Sequence, residues 1–374
     1  MTPALDDPIG CPVAEIDTPA LLIDRAAMQR NIDAMARFTR AAGLNLRPHA
    51  KAHKCPEIAR LQLTAGAIGL CCQKLDEAEA LIDAGIDNVL IANEIMGRGK
   101  LPRLAGLARR GRMIVAIDNI DAAHALSDCL VAAGAQIGAV VDLDLGQRRC
   151  GVPPGAPALE LGRRIAVLPG FALKGLQGYQ GKLQHIPGYA NRARAADAAH
   201  AALAETRQMF AASGLPVEIV TGAGTGTYDT DGVRSAMTEI QPGSYIFMDR
   251  QYRAIGGRAG DIFEDFEPAL SVLATVMSTP TTDRVIVDAG LKALPTDGGL
   301  PALLDHPGWN YNPAGDEHGA LLRAGGGPAP RLGEVVRLLP GHCDTTVNLY
   351  DAFHVIEDGR LAAIWPIPGR GCGR

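Results

Sequence analysis

The 374-residue sequence has no excess of basic charge: 36 Lys and Arg stand against 41 Asp and Glu, a net charge of -5. With a pI near 6.0, no basic field is present to recruit nucleic acid or an acidic membrane surface. No apolar run reaches the roughly 20 residues needed to cross a bilayer. The N-terminus carries Asp6, Asp7 and Pro8, where a secretory signal needs basic residues and an apolar core. The eight cysteines, at 11, 55, 71, 72, 129, 150, 343 and 372, include no C-x-x-C pair and no regular spacing. That excludes a disulfide framework and points to a reducing compartment. Low-complexity linkers and fixed-period repeats are also missing. What remains is a cytoplasmic enzyme acting on a small molecule, with no nucleic-acid or membrane partner.

Two phosphate-binding signatures are absent as well. The first strand-to-helix turn, Leu22-Ile23-Asp24-Arg25, contains no glycine, so it is not a dinucleotide fingerprint. No Gly-Lys-Ser/Thr follows any glycine-rich turn in the manner of a P-loop.

What is present is apolar and finely punctuated: 47% of residues are hydrophobic and 44 are glycine, enough for a sizeable core broken by tight turns. Leu21-Leu22-Ile23 reads as a buried strand, and Asp24 caps a helix with Met28, Ile32 and Met35 at helical spacing, closed by Gly43. From Leu44 onward, strands and helices alternate. Strands are expected near 44–47, 67–71, 88–92, 113–118, 137–143, 171–177, 217–221 and 237–241, with a long Ala-rich helix at 191–212. Near-continuous apolar strands separated by helices indicate a parallel sheet covered on both faces. Eight such units suggest a closed barrel, with an open doubly wound sheet as the competing architecture. After about Asp249 the pattern becomes all-β, with strands at 270–277, 284–287, 334–339, 353–357 and 361–365 and turns such as Asp358-Gly359. The expected fold is α/β: an N-terminal (β/α)8 TIM-type barrel over 25–250, and a β-rich domain formed by 1–24 with 251–374.

The densest chemistry lies in Arg47-Pro48-His49-Ala50-Lys51-Ala52-His53-Lys54, in the loop after the first barrel strand, where barrel enzymes place their functional groups. Neighbouring cations and partial burial can lower the pKa of Lys51, as an amine nucleophile requires. The same cluster also reads as a solvated loop. Thr221-Gly222-Ala223-Gly224-Thr225-Gly226-Thr227 follows a late strand, where loops often cradle phosphate with N–H and hydroxyl donors, and Gly243-Ser244-Tyr245 follows the next. His342 and Asp344 lie two apart; on an extended segment they share a face, with Cys343 on the other. Such a pair suits a divalent metal, and equally a hydrogen-bonded turn. Arg149, Tyr179 and His185 fall after neighbouring strands at the same barrel end.

In order, Arg47 to Lys54, Cys71-Cys72-Gln73-Lys74, Gly146-Gln147 with Arg149-Cys150-Gly151, Tyr179, Gln184-His185, Thr221 to Thr227, Pro242 to Tyr245 with Met248-Asp249, Asp288 to Lys292, Asp316 to Gly319 and His342-Cys343-Asp344 resemble the D-threonine aldolase and D-serine dehydratase family. The resemblance runs from about Asp17 to Gly371. It implies an alanine-racemase-like pyridoxal 5'-phosphate enzyme whose Lys51 carries the cofactor. It implies cofactor-binding roles for Gln177, Thr221, Gly222, Gly224, Thr225, Gly226, Thr227, Gly243, Ser244 and Tyr245. Catalytic roles are implied for His49, Arg149, Tyr179 and His185, a divalent metal (Mn, Mg or Zn) on His342 and Asp344, and a homodimer. Dehydratases of this family typically carry Cys as the second metal ligand and aldolases carry Asp. Asp344 therefore favours retro-aldol cleavage of a D-β-hydroxy-α-amino acid to glycine and an aldehyde, with D-serine or D-threo-3-hydroxyaspartate dehydration as the alternative. Arg148 and Lys182 add two cations that can receive a distal substrate carboxylate or simply face solvent.

Overall fold

The computed structural model describes residues 8–234 and 236–373; the first seven residues of the expected 1–24 segment lie outside the described residues. The chain divides into two compact units, Ala34–Gly243 with Cys372–Arg374, and Met1–Asp33 with Ser244–Gly371.

After strand β1 (Ala20–Asp24), the first unit contains β2 (Asn45–Leu46), β3 (Leu70–Cys72), β4 (Asn88–Ile91), β5 (Arg112–Ile117), β6 (Ile137–Leu143), β7 (Phe171–Gly178), β8 (Ile219–Gly222) and β9 (Glu239–Ile240). These strands form one parallel sheet in the order β2-β9-β8-β7-β6-β5-β4-β3. Its two ends meet. Ile68 N–H donates to Leu46 O (2.9 Å), Cys71 N–H donates to Pro48 O (2.8 Å), and a parallel bridge joins His49 to Cys71. This closure makes the TIM-type barrel expected from the alternation and excludes the open sheet. Cys71, Leu90, Ala92, Ile114, Ala116 and Val140 pack together from neighbouring strands.

The helices between strands begin and end where local chemistry dictates. Asn119 caps Ile120–Ala133 by accepting from the N–H groups of Asp121 and Ala122, and Gly134 ends it in the left-handed conformation at φ 60°. The long helix spans Tyr189–Ala212, two residues more at its start than the pattern suggested.

The second unit is antiparallel apart from one pair. Its strands are β1, β10 (Leu270–Thr281), β11 (Arg284–Val287), β12 (Ala302–Leu303), β13 (Trp309–Pro313), β14 (Gly319–Arg323), β15 (Val335–Leu339), β16 (Ala352–Glu357) and β17 (Arg360–Pro366). The path runs β13-β14-β11-β10-β1-β16-β17, with β15 pairing β10 and β12. β1 lies antiparallel to β10 and parallel to β16. Cys11, Ile16, Ala20, Leu22, Leu273 and Leu361 form part of its core. The β16–β17 turn has Asp358 at φ 49° and Gly359 at φ 75°, the positive values a tight hairpin needs at both central positions.

Candidate active site

Within the barrel unit the expected residues gather on one arc of the rim, because the strands they follow are neighbours. Lys51 follows β2, Gly243 follows β9, Thr221 to Thr227 follow β8, Gln177 and Tyr179 end β7, and Arg149 follows β6. His49 N–H donates to Pro242 O (3.1 Å), which holds the Lys51 loop against the segment ending at Gly243.

Lys51 sits half-buried in a 3-10 turn, Ala50–Ala52, flanked by the buried Ala50 and Ala52. Its N–H donates to His49 Nδ1 (3.4 Å), while His49 Nε2 lies 2.8 Å from the Gln73 side-chain amide. The Gln73 atom at that distance is its amide nitrogen, a donor, so the ring is held between the Lys51 backbone N–H and the Gln73 side chain. His53 is fully buried, and its Nδ1 accepts from Cys55 N–H. Lys54 pairs with Glu77 at 3.3 Å. The cationic cluster read from sequence is thus largely resolved: Lys54 has its own carboxylate, and both histidine rings are oriented by backbone donors.

The glycine-rich loop is packed from beneath. Gly226 N–H donates to Gln184 Oε1 (3.0 Å), Thr227 N–H donates to Gly224 O (3.3 Å), and Gly224 N–H reaches Thr227 Oγ1 (3.4 Å). A Cβ on Gly226 would lie 2.1 Å from Gln184 O, so glycine is demanded here by the protein's own packing. Fully buried Arg192 donates through Nε to Gly226 O (2.6 Å) and through Nη1 to Ile186 O (2.8 Å). The Thr227 hydroxyl donates to Asp231, whose other oxygen lies 2.6 Å from His200 Nε2. Thr221, Thr225 and Thr227 are buried.

Below the rim runs a polar chain across four strands. Gln177 donates to Asp142 Oδ1 (2.8 Å), and Gln241 donates to Thr221 Oγ1 (2.8 Å) and Gln177 Oε1 (3.4 Å). Burial, with the Glu94 and Asp118 charges nearby, pushes the Asp142 carboxyl up to about 8, so it is protonated at neutral pH. The native state then holds a proton that the unfolded chain releases above its ordinary carboxylate pKa, and stability falls as pH rises from about 4 towards 8. Asp142→Asn should remove that penalty. Its melting temperature should exceed wild type at pH 8 by more than at pH 5, an effect on the order of a few kcal/mol. Thermal unfolding at the two pH values measures it, and an equal difference at both would contradict the assignment.

Arg149 is exposed and lies over the Tyr179 ring at 5.9 Å, a cation–π contact linking the β6 and β7 loops. His185, Arg148 and Lys182 are exposed. Arg148 adopts φ 57°, its N–H donating to Asp144 Oδ1 (2.9 Å).

In the β-rich unit, His342 has extended backbone, but Cys343–Val347 is a short helix. The expected extended placement of His342 and Asp344 is therefore corrected: Asp344 sits in a helical first turn, where its acidity complements the N–H groups there. Buried Cys343 donates to Asp344 Oδ1 (3.4 Å), as does Ser244 Oγ (3.3 Å). His342 Nδ1 lies 2.7 Å from Asp297 Oδ2, and Thr345 Oγ1 donates to Asp297 Oδ1 (2.8 Å). Burial opposes ionisation of Asp297, but the His342 ring and the Thr345 hydroxyl outweigh it and hold this carboxyl below its ordinary value. With Nδ1 engaged, Nε2 is the nitrogen His342 can offer a metal. One imidazole nitrogen and one carboxylate oxygen fit a divalent cation that completes its shell with water or substrate. Tyr245 is fully buried, edge-on to Phe266 with ring centroids 5.5 Å apart. Among the described residues, one group brings three potential ligand atoms within 4.8 Å of one another: Glu94, Asp118 and Cys150, on the barrel rim.

Gln73, Gln184, Arg192 and Asp297 escape a reading by motif, since each acts on a residue distant in sequence. Only Gln73 and Gln184 stand inside segments that the resemblance singled out.

A closed parallel barrel with a lysine after its first strand, joined in one chain to a β-rich unit, defines the alanine-racemase-like class. Residues 23–251 match the model of the alanine racemase N-terminal domain, and residues 269–356 match the putative serine dehydratase domain. The chain belongs to the D-threonine aldolase and D-serine dehydratase family. It is 44% identical to D-threonine aldolase of Arthrobacter sp, over 98% of this chain and 96% of that protein. It is 36% identical to 3-hydroxy-D-aspartate aldolase of Paracoccus denitrificans, over 97% and 95%. D-threo-3-hydroxyaspartate dehydratase of Delftia sp. is 30% identical, over 94% and 97%. The crystal structure of D-threonine aldolase from Filomicrobium marinum aligns with a TM-score of 0.93 at 43% identity, covering 98% of this chain and 99% of that one.

Proposed function

We propose that this protein is a pyridoxal-phosphate-dependent lyase that cleaves a D-β-hydroxy-α-amino acid of the D-threonine or 3-hydroxyaspartate type to glycine and an aldehyde. The observation that carries the reading is the arc of the barrel rim on which Lys51, Gly243, the Thr221 to Thr227 loop and Gln177 follow adjacent strands. Aldolases at 44% and 36% identity, against a dehydratase at 30%, support cleavage over dehydration.

In this reading the Lys51 amine holds the cofactor, and the Thr221 to Thr227 loop with Gly243 and Ser244 receives its phosphate. Bound pyridoxal phosphate supplies the electron sink for the charge that carbon–carbon cleavage leaves on Cα. His342 and Asp344 would hold a divalent cation (Mn, Mg or Zn), which would supply Lewis acidity towards a substrate β-hydroxyl. His185 or a water would serve as the proton acceptor for a substrate hydroxyl. Arg149, its guanidinium ordered over Tyr179, is placed to engage an anionic substrate group. His49, held through both ring nitrogens, fixes the Lys51 turn. A homodimer in the cytoplasm accompanies this function. No helix among the described residues is long and apolar enough to cross a membrane.

Incubating the purified protein, supplied with pyridoxal phosphate and Mn²⁺, with D-threonine and D-threo-3-hydroxyaspartate tests the proposal. Glycine plus acetaldehyde or glyoxylate is expected. Ammonia with a keto acid would replace cleavage by dehydration.

A further inference from the structure

We infer that Asp297 is a positioning residue for the metal centre, fixing the His342 ring so that Nε2 presents its lone pair to the cation. The inference rests on the proposed metal role of His342 and Asp344. Asp297 Oδ2 lies 2.7 Å from His342 Nδ1. A carboxylate accepts and cannot donate, so in the neutral imidazole that contact places the proton on Nδ1 and leaves the Nε2 lone pair for the cation. This is the relation in which metal-ligating histidines commonly stand to a carboxylate in their outer shell, where the partner sets both tautomer and ring orientation.

Two further features hold Asp297 in place. Thr345 Oγ1 donates to its other oxygen at 2.8 Å, so each carboxylate oxygen has its own partner, which favours the orientation facing the ring. Thr345 is three residues beyond His342, and Thr346 Oγ1 donates to His342 O at 2.7 Å; the ring and the threonine orienting its partner therefore belong to one helical turn. The chain next to Asp297 also runs hard against the histidine. A Cβ on Gly298 would lie 2.6 Å from His342 Cβ and 2.8 Å from Gly341 O, so only glycine permits the approach that brings Asp297 to the ring. Both Asp297 oxygens are engaged, one by the His342 ring and the other by the Thr345 hydroxyl, which makes Asp297 a partner of the ring.

The test titrates Mn²⁺ alone into the cofactor-loaded protein and follows free Mn²⁺ by electron paramagnetic resonance. Asp297→Ala should weaken Mn²⁺ binding by about 10- to 100-fold. Asp297→Asn, which keeps an acceptor but loses the charge, should fall between that variant and wild type, and Thr345→Val should show a smaller loss. At saturating Mn²⁺ the kcat of Asp297→Ala should return close to wild type, so the loss appears in the metal half-saturation point. A merely structural residue would lower the melting temperature and kcat and leave Mn²⁺ affinity in place. His342→Ala separates the two layers of the argument. If it abolishes Mn²⁺ binding while Asp297→Ala and Asp297→Asn bind as wild type, the positioning role is overturned and the metal site stands. If His342→Ala itself binds Mn²⁺ normally, the metal reading fails and the inference with it.

Discussion

Lys51→Ala should yield a folded protein that no longer takes up pyridoxal phosphate covalently and has lost essentially all lyase activity. The fold should survive because the side chain is only half-buried, while the backbone N–H that joins residue 51 to His49 remains after substitution. The activity loss should be at least about 10²–10⁴-fold, the contribution of a positioned proton-transfer group alone, since a lysine that carries the cofactor adds covalent attachment to that role. Lys54→Ala is the matched comparison. Lys54 is committed to Glu77, so this variant should keep the visible absorbance of the bound cofactor. A bleached spectrum for Lys51→Ala and a coloured one for Lys54→Ala is the expected pair. A persisting cofactor band in Lys51→Ala would place the attachment on another lysine.

The largest effect on stability is expected four residues earlier. Arg47 and Glu239 form an ion pair at 2.8 Å with side-chain exposures of 3% and 2%. The guanidinium makes a second bond to Glu239 Oε2 (3.2 Å) and a third to Asn88 Oδ1 (2.9 Å). One side chain thereby ties β2 to β9, with which it pairs in the sheet, and to the first residue of β4. Arg47→Met removes the charge that pairs with Glu239 and should cost about 3–5 kcal/mol, the range for breaking buried pairs. Against a total stability of roughly 5–15 kcal/mol, that is a large share. The double variant Arg47→Met/Glu239→Leu should recover most of the loss, because exchanging a whole buried pair for apolar groups is often close to neutral. Denaturant midpoints for the three proteins measure this. A single-variant cost of about 1 kcal/mol or less, as for exposed pairs, would show that water reaches the pair.

The barrel was legible in the sequence because its strands are covered on both faces and its helices carry strong boundary residues. Asn119 and Gly134 mark the ends of one helix in the chain itself, and Ile137–Leu143 is an apolar run that hardly needs alternation to be seen. The β-rich unit was legible only in part. β11 matches its expected span, yet β12, β13 and β14 escaped notice. β12 has two residues, β13 (Trp-Asn-Tyr-Asn-Pro) mixes aromatics with turn-forming Asn and Pro, and β14 opens on glycine. Their strand character comes from partners across the sheet, which a local pattern does not contain. The candidate site divides in the same way. Lys51 and the glycine-rich loop stand out because unusual residues lie side by side. Asp297 has no local signature, since its meaning depends on a histidine 45 residues away, and the helix after His342 was hidden because five residues are too few to show a period.

β1 adds a matter of timing. Its partners begin at Leu270 and at His354, so during synthesis this strand leaves the ribosome long before either exists. At about 5–20 residues per second, the wait for β10 is on the order of tens of seconds. All the barrel strands are complete before that wait ends, and throughout it Ala20-Leu21-Leu22-Ile23 is an apolar strand without an edge to join. A stretch that ends up buried is thus exposed for much of synthesis, which makes it a segment for a holding chaperone to grip and a place where the nascent chain is prone to aggregate.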